Sequence, residues 1–306
     1  MSNSYDVIII GAGPAGMSAA WWCSELGLHT LLLEREATGG GQLLWTYSPI
    51  HNYLGLRAAN GRELYQHFAA HFAESQIEMI ANAEVSAVDL TAKRVKLADS
   101  TELQASTLIL ATGVRRRTLG IPGEKELAGR GVLVSGARDR EQYAGQRVCV
   151  IGGGDAAVEN ALLLAQAGAF VTLAHRGPRL RARDEFVAQV ECHPCIELLL
   201  ETAVTHIIGA SCVEGVKLRH GAETFKREAA GVLIRIGVAP NSELFRAQLK
   251  TDAQGYVLVN AEQETNVANV FAIGDLANPL ALTIAGATGA GATAAKVLAG
   301  RLRVTT

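Results

Sequence analysis

One local pattern occurs twice in this chain, and each copy dictates a strand, a tight turn and a helix in that order. The first copy is "YDVIIIGAGPAGMSAAWWCSELGLHTLLLE", where an apolar run ends at Ile10, Gly11, Gly13 and Gly16 follow, and a second apolar run ends in Glu34. The second is "QRVCVIGGGDAAVENALLLAQAGAFVTLAHRGPRLRAR", with Gly152, Gly154 and Ala157 in the turn positions. In such a turn the first glycine permits the tight reversal. The second lets backbone approach a pyrophosphate, and the third lets the helix pack on the strand. The phosphates then lie at the positive end of the helix, where unpaired backbone N–H groups point at them. Two such units predict an α/β chain with two Rossmann-like dinucleotide-binding domains, and 306 residues suffice for two packed cores.

The two units end differently. Glu34 closes the first at about the 20-residue spacing expected of an acid that accepts hydrogen bonds from an adenosine ribose. In the second the strand runs into His175 and Arg176, with Arg179, Arg181 and Arg183 close behind. An acid would repel a 2′-phosphate, whereas guanidinium groups pair with it, so NADPH is expected over NADH. Arg179 and Arg183 read equally well as solvating the start of the next helix. Two further stretches stand out. "TLILATGVRRR" at 107–117 is a buried-type strand ending in Ala-Thr-Gly, suited to a crossing point between domains. "NVFAIGDLANPLALTIAGATGAGATAAKVLAG" at 269–300 runs through Gly274 and Asp275 into a helix rich in small residues. Asp275 is placed to hydrogen-bond a polyol chain, and the small residues allow the helix start to approach a flavin edge. A local capping role is the alternative for this aspartate.

Apolar residues at 49% against 19% charged predict a folded globule, and a net charge of −2 offers no general attraction to nucleic acid or anionic lipid. The N-terminus lacks the basic region of a signal peptide, and no run approaches the roughly 18 apolar residues of a membrane span, so a cytoplasmic protein is expected. Five cysteines do not read as a secreted disulfide framework. Cys23, Cys149 and Cys212 read as small packing residues. "CHPC" at 192–195 has Cys-x-x-Cys spacing and falls in a turn between a helix and a strand. A metal site there would need two more ligands, and the spacing suggests none.

These features, with "GGGQLLW" at 39–45, "HNYLG" at 51–55 and "GVLIRIGVAPNSELF" at 231–245, resemble the low-molecular-weight thioredoxin reductase family over essentially the whole chain. The resemblance implies a homodimer with three-layer ββα domains, an NADPH domain being inserted into a split FAD domain. The implied boundaries are 1–116 and 245–306 for FAD and 117–244 for NADPH. It also implies that Gly11, Gly13, Gly16, Glu34, Gly41, Gln42, Asn52, Thr112, Gly113, Gly274 and Asp275 hold FAD. Gly152, Gly154, Asp155, Ala157, His175, Arg176 and Arg181 would hold NADPH. The family usually carries a second arginine where this chain has Gly177, which weakens the NADPH preference without reversing it.

The chain departs from the family at its redox centre. The family runs Gly-Arg-Gly-Val, two residues, Cys-x-x-Cys-Asp, then a fixed interval to the second glycine turn; here "GRGVLVSGARD" at 129–139 keeps that register, with Ser135 and Arg138 in the cysteine positions. Neither side chain can exchange electrons with a flavin or form a mixed disulfide. Asp139, at the family's proton-donor position, is expected to persist as a structural residue. Leu282-Thr283 replaces the family's Arg-Gln pair. Related reductases of ferredoxin or flavodoxin also lack the disulfide, but they carry a C-terminal extension that has no counterpart in "GRLRVTT". The expected activity is transfer of electrons from NADPH through FAD to a non-disulfide acceptor such as ferredoxin or flavodoxin. Disulfide reduction through Cys192 and Cys195 is the alternative enzyme reading, and a non-catalytic nucleotide-binding sensor is the alternative outside enzymology.

Overall fold

The computed structural model describes the backbone of residues 5–305 and side chains as far as residue 302. The chain forms two compact units, one of residues up to Arg115 together with those from Ala239 onward, the other of Arg116–Val238.

In the first unit four strands lie parallel in the order Glu78–Ile80, Thr30–Leu33, Tyr5–Ile10 and Glu102–Leu110, and Val270–Ala272 pairs beyond the last of them. The long strand Glu102–Leu110 belongs to two layers. Its first residues pair antiparallel with Arg94–Leu97, which pairs with Val85–Asp89. Successive side chains of a strand point to opposite faces, and these strands are apolar on both. Ile8, Ile10, Leu31, Leu33, Leu108 and Leu110 pack toward Val88, Val95 and Leu97 of the antiparallel layer. Val7, Ile9, Leu32 and Ile109 pack toward the helices Pro14–Glu25 and Ile284–Thr305. The result is a three-layer ββα unit.

The second unit repeats the plan. Its parallel sheet runs Ile196–Leu199, Phe170–Ala174, Arg147–Ile151 and Gly231–Ile234. Val148, Val150, Val171 and Leu173 face the helix Asp155–Gln166, while Cys149, Ile151 and Ala174 face a three-stranded antiparallel layer of Thr202–Ile208, Gly215–His220 and Glu223–Glu228. Residues 239–244, expected in the inserted segment, group instead with the first unit. Asn241 holds them there: its side-chain amide donates to the Thr112 carbonyl at 2.7 Å, and the Thr112 hydroxyl donates to its carbonyl at 2.8 Å.

The small residues of the helix Ile284–Thr305 have a packing cause. A β-carbon on Gly291 would lie 2.5 Å from the Ala15 carbonyl oxygen and 2.8 Å from the Ala19 nitrogen, so glycine lets the first and last helices touch backbone to backbone. Gly289, on the same helix, is exposed with open space around it. Gly291→Val is therefore expected to destabilise the protein by about 1–3 kcal/mol through overpacking, whereas Gly289→Ala should stabilise it by about 0.5–1 kcal/mol through helix propensity. Urea unfolding of the two variants side by side checks both signs.

Candidate functional site

The three turn glycines of the first unit are not alike. Gly11 has φ +104°, and a β-carbon there would lie 2.5 Å from the Ala111 carbonyl oxygen; one on Gly16 would lie 1.8 Å from the carbonyl oxygen of Gly11. Both are required by the protein itself. Gly13 has ordinary extended backbone, φ −74° and ψ −178°, and the nearest atom to its missing β-carbon is the Gly41 Cα at 3.9 Å. No protein atom demands glycine there, and the space it leaves opens at the start of the helix Pro14–Glu25. Two loops frame this space. Gly40 donates to the Ala12 carbonyl at 2.7 Å, bringing the 39–41 glycine run across the turn. Glu34 is buried, and its two carboxylate oxygens accept from the backbone N–H groups of Ala12 at 2.8 Å and Glu36 at 3.0 Å. The acid therefore braces the turn as well as ending the strand.

Asp275 lies in the short turn Gly274–Leu276. Its carboxylate is half-buried and accepts no hydrogen bond among the described residues, and burial pushes its pKa up to about 6. A group in this state fits a ligand hydroxyl that donates to it. The Thr112 hydroxyl is taken by Asn241, and the Gln42 amide donates to the Val114 carbonyl at 2.9 Å, leaving its amide oxygen for other partners. The Gly113 carbonyl accepts from Asn241 N–H at 2.9 Å in the same clasp, and Asn52 is exposed.

The second turn follows the same division of labour. Gly152 has φ +147°, and a β-carbon would lie 2.1 Å from the Arg235 carbonyl oxygen; Ala157 is fully buried at the third position. Gly154 again has open space about it. Asp155 heads the helix and binds Arg183, accepting from its backbone N–H at 2.8 Å and from its Nε at 3.3 Å. Arg183 also pairs with Glu185 at 3.0 Å and lies over the Phe186 ring, so it closes its own loop. Arg176, Arg179 and Arg181 are exposed and make no side-chain hydrogen bond or ion pair among the described residues. The backbone N–H of Arg181 donates to the Gly153 carbonyl at 2.6 Å, which fastens the basic loop to the glycine turn.

His175 explains Gly177. Its ring is buried between two glycines: a β-carbon on Gly153 would lie 2.4 Å from Nδ1, and one on Gly177 would lie 2.9 Å from Nε2. Burial, then the charges of Arg181 and Arg176, hold its pKa below the ordinary histidine value, so it is neutral at pH 7. Any side chain at 177 would have to displace this imidazole.

Arg138 lies in a single helical turn, Gly136–Asp139, with Ser135 at its N-cap position, and a polar network closes it. Buried Asp139 accepts from the backbone N–H groups of Val134 at 2.8 Å and Ser135 at 3.0 Å, and from Arg138 Nε. Gly136 N–H donates to Asn160 Oδ1 at 2.6 Å, which ties the turn to the helix Asp155–Gln166. The Val134 carbonyl accepts from Arg116 at 2.6 Å and from Arg235, whose pKa burial and the charge of Arg116 pull down to about 10. Asn160, Arg235 and Asn241 are the residues that motif reading passed over. Asn160 was detectable as the polar residue within "VENALLL", on an otherwise apolar helix face.

The five cysteines are free and lie elsewhere. Cys23 and Cys149 are buried, and burial pushes both thiols up to about 12. Cys212 and Cys192 are exposed and Cys195 is half-buried. Among the described residues no three His, Cys, Asp or Glu side chains converge as a metal site, and no helix is long and apolar enough to cross a membrane.

Comparison with known proteins agrees with this geometry. Residues 5–299 match the family described as pyridine nucleotide-disulphide oxidoreductase. The thioredoxin reductase of Bacillus subtilis is 36% identical over 297 residues, covering 95% of this chain and 93% of that protein. The thioredoxin reductase of Peptoclostridium acidaminophilum is 34% identical over 286 residues, covering 90% of each. Among solved structures, Lactococcus lactis thioredoxin reductase superposes with a TM-score of 0.86 at 32% identity, covering 99% of this chain and 100% of that one. The chain belongs to the pyridine nucleotide-disulphide oxidoreductase family, as an FAD- and NAD(P)H-dependent oxidoreductase of the thioredoxin reductase type.

Proposed function

We propose that this enzyme passes electrons from NADPH through FAD to an acceptor that is not a disulfide, with a ferredoxin or flavodoxin as the acceptor class. The observation that carries the reading is the turn at Ser135–Asp139: serine and arginine occupy the redox-pair positions, and the neighbouring aspartate is tied to Arg138 and two backbone amides. FAD supplies acceptance of a hydride and release of electrons singly or in pairs. In this reading the first unit holds FAD. The opening at Gly13 admits the pyrophosphate between Gly11, Gly16 and Gly41, Glu34 receives the ribose, and Asp275 and Gly274 receive the polyol chain. Gln42, Asn52, Thr112 and Gly113 line the remainder. The second unit holds NADPH through Gly152, Gly154, Asp155 and Ala157, with Arg176 and Arg181 on the 2′-phosphate and His175 fixing the loop that carries them. The reading includes a homodimer and a cytoplasmic setting, in keeping with five free thiols.

Asp275 gives the flavin assignment a pH signature. Its carboxyl is raised from 3.8 to about 6 in the folded protein, so the native state binds the extra proton and apoprotein stability falls as pH rises through that window. The loss should be on the order of 2 kcal/mol, after discounting for partial exposure. A donated ligand hydroxyl favours the ionised form, so FAD affinity should rise over the same window. Asp275→Asn should flatten both dependences, measured by urea unfolding of the apoprotein and by flavin fluorescence titration.

Coenzyme choice is the next check. Charge-assisted bonds from Arg176 and Arg181 should favour NADPH over NADH by about 1.5 kcal/mol, the low end for such contacts because Gly177 contributes none. Arg181→Ala should remove most of that difference. Equal affinities of the unmodified protein for the two coenzymes would overturn the assignment.

The acceptor reading is tested by reductive titration of the unmodified protein. Uptake should stop at the two electrons that FAD accepts, and thioredoxin reduction should be negligible. Ser135→Cys with Arg138→Cys should add a second two-electron centre. Uptake of four electrons per FAD by the unmodified protein, abolished by Cys192→Ser, would instead establish a disulfide reductase using the displaced pair. Failure of NADPH to bleach the flavin would establish the sensor reading.

A further inference from the structure

The Cys192-His193-Pro194-Cys195 segment has no part in the electron path above, and its local geometry is well defined. Cys192 ends the helix Asp184–Cys192. The His193 carbonyl accepts from Ile196 N–H at 3.1 Å, which makes 193–196 a β-turn with Pro194 at its second position and Cys195 at its third. The Cys195 N–H donates to His193 Nδ1 at 3.2 Å, so the imidazole is folded over the turn. One free thiol thus immediately precedes a tight turn and the second lies within it, the first exposed and the second half-buried.

Cys195 also lines a cleft of about 470 Å³ on the edge of the second unit. Phe170 contributes an apolar wall, with 54% of its surface exposed. The charged groups of the cleft differ in how firmly they are paired. Arg227 grips Glu197 through two nitrogens, at 2.9 Å and 3.3 Å, and is committed to it. Arg147 and Glu228 are highly exposed and stand 3.9 Å apart, a loose pair that can exchange each other for a ligand's ends. A cleft with one thiol, one apolar wall and a separable cation and anion matches a small peptide disulfide that carries a free carboxylate and a free ammonium.

We propose that this cleft is a mixed-disulfide site, where Cys195 takes one half of a small zwitterionic peptide disulfide and Cys192 resolves the adduct. The Cys195 thiolate attacks one sulfur of the peptide disulfide, whose S–S bond breaks, and the other half leaves as a thiolate. The Cys192 thiolate then attacks the Cys195 sulfur and expels the second half. Two protein thiols are oxidised to one Cys192–Cys195 disulfide, the peptide disulfide is reduced to two thiols, and the two protons pass to the departing sulfurs. The peptide disulfide is the oxidant. The site is independent of the flavin reading, and its test needs no turnover.

The experiment exposes the full FAD-loaded chain to glutathione disulfide and follows each cysteine by peptide mass spectrometry, with uncharged hydroxyethyl disulfide as the comparison. Cys195 should be labelled before exposed Cys212. Unmodified protein should then lose the label as a Cys192–Cys195 cross-link forms, whereas Cys192→Ser should retain it. Arg147→Ala should slow labelling of Cys195 by glutathione disulfide about tenfold, the equivalent of one charge-assisted contact, and leave labelling by hydroxyethyl disulfide unchanged. First labelling at Cys212 or Cys192 overturns the proposal. So does a label on Cys195 that persists in the unmodified protein, or an equal effect of Arg147→Ala on both reagents. Arg147 and Cys192 are exposed, so these changes leave the cores intact.

Discussion

Both halves of this molecule depend on how closely a helix can start behind the strand that leads into it. At Gly11 and Gly16 that approach is set by carbonyl oxygens at 2.5 Å and 1.8 Å from the positions their β-carbons would take. At Gly152 the Arg235 carbonyl does the same at 2.1 Å. Side chains at these points would push the helix away, and the apolar faces behind it would lose the dense packing on which core stability rests. Once the helix is seated, its first N–H groups are aimed at the space before Gly13 or Gly154. The openings before the two helices are therefore a consequence of packing, and Gly13 and Gly154 are the turn positions where no protein atom sets the requirement.

That distinction separates what could be read in the chain from what could not. Strand, turn, helix and strand in both units follow from local pattern, because apolar runs and glycine spacing report local geometry. The antiparallel layers and the clasp at Asn241 do not. The antiparallel layers join consecutive strands of mixed polarity that lack a glycine fingerprint, and the clasp pairs Thr112 with Asn241, far away in the chain, through polar side chains that carry no local signature. The small residues of the last helix show the same limit. A flavin edge was the sequence rationale, and at Gly291 the structure supplies another: direct contact with the first helix. Arg183 is a third case, since its spacing suits phosphate binding while its contacts with Asp155 and Glu185 make it a brace.

The turn at Ser135–Asp139 satisfies its own polar groups. Asp139 accepts from two backbone amides, Asn160 accepts from a third, and Arg138 pairs with the aspartate. Arg116 and Arg235 both reach the Val134 carbonyl, although burial and mutual repulsion pull the Arg235 pKa down to about 10. Two guanidinium groups on one carbonyl are tolerable because buried Asp139 lies beside them and partly offsets their charge. The turn thus holds its shape through ion pairing and bonds to backbone amides, and Asp139 is central to that network.

The coenzyme loop shows a second substitution whose cause lies in a neighbour. With glycine at 177, the natural inference from sequence is a lost phosphate ligand. The structure adds that the His175 ring fills the space on that side, pressed between Gly153 and Gly177, so the missing side chain and the buried imidazole belong to one arrangement. A side chain restored at 177 would place its β-carbon 2.9 Å from Nε2 of that ring, and burial, then the charges of Arg181 and Arg176, already hold the ring's pKa below the ordinary histidine value. In the proposed coenzyme site, selectivity for a 2′-phosphate rests on the arginines that remain exposed, and their loop is fastened by the Arg181 backbone bond to Gly153. The second glycine turn is thereby also the anchor of the basic loop.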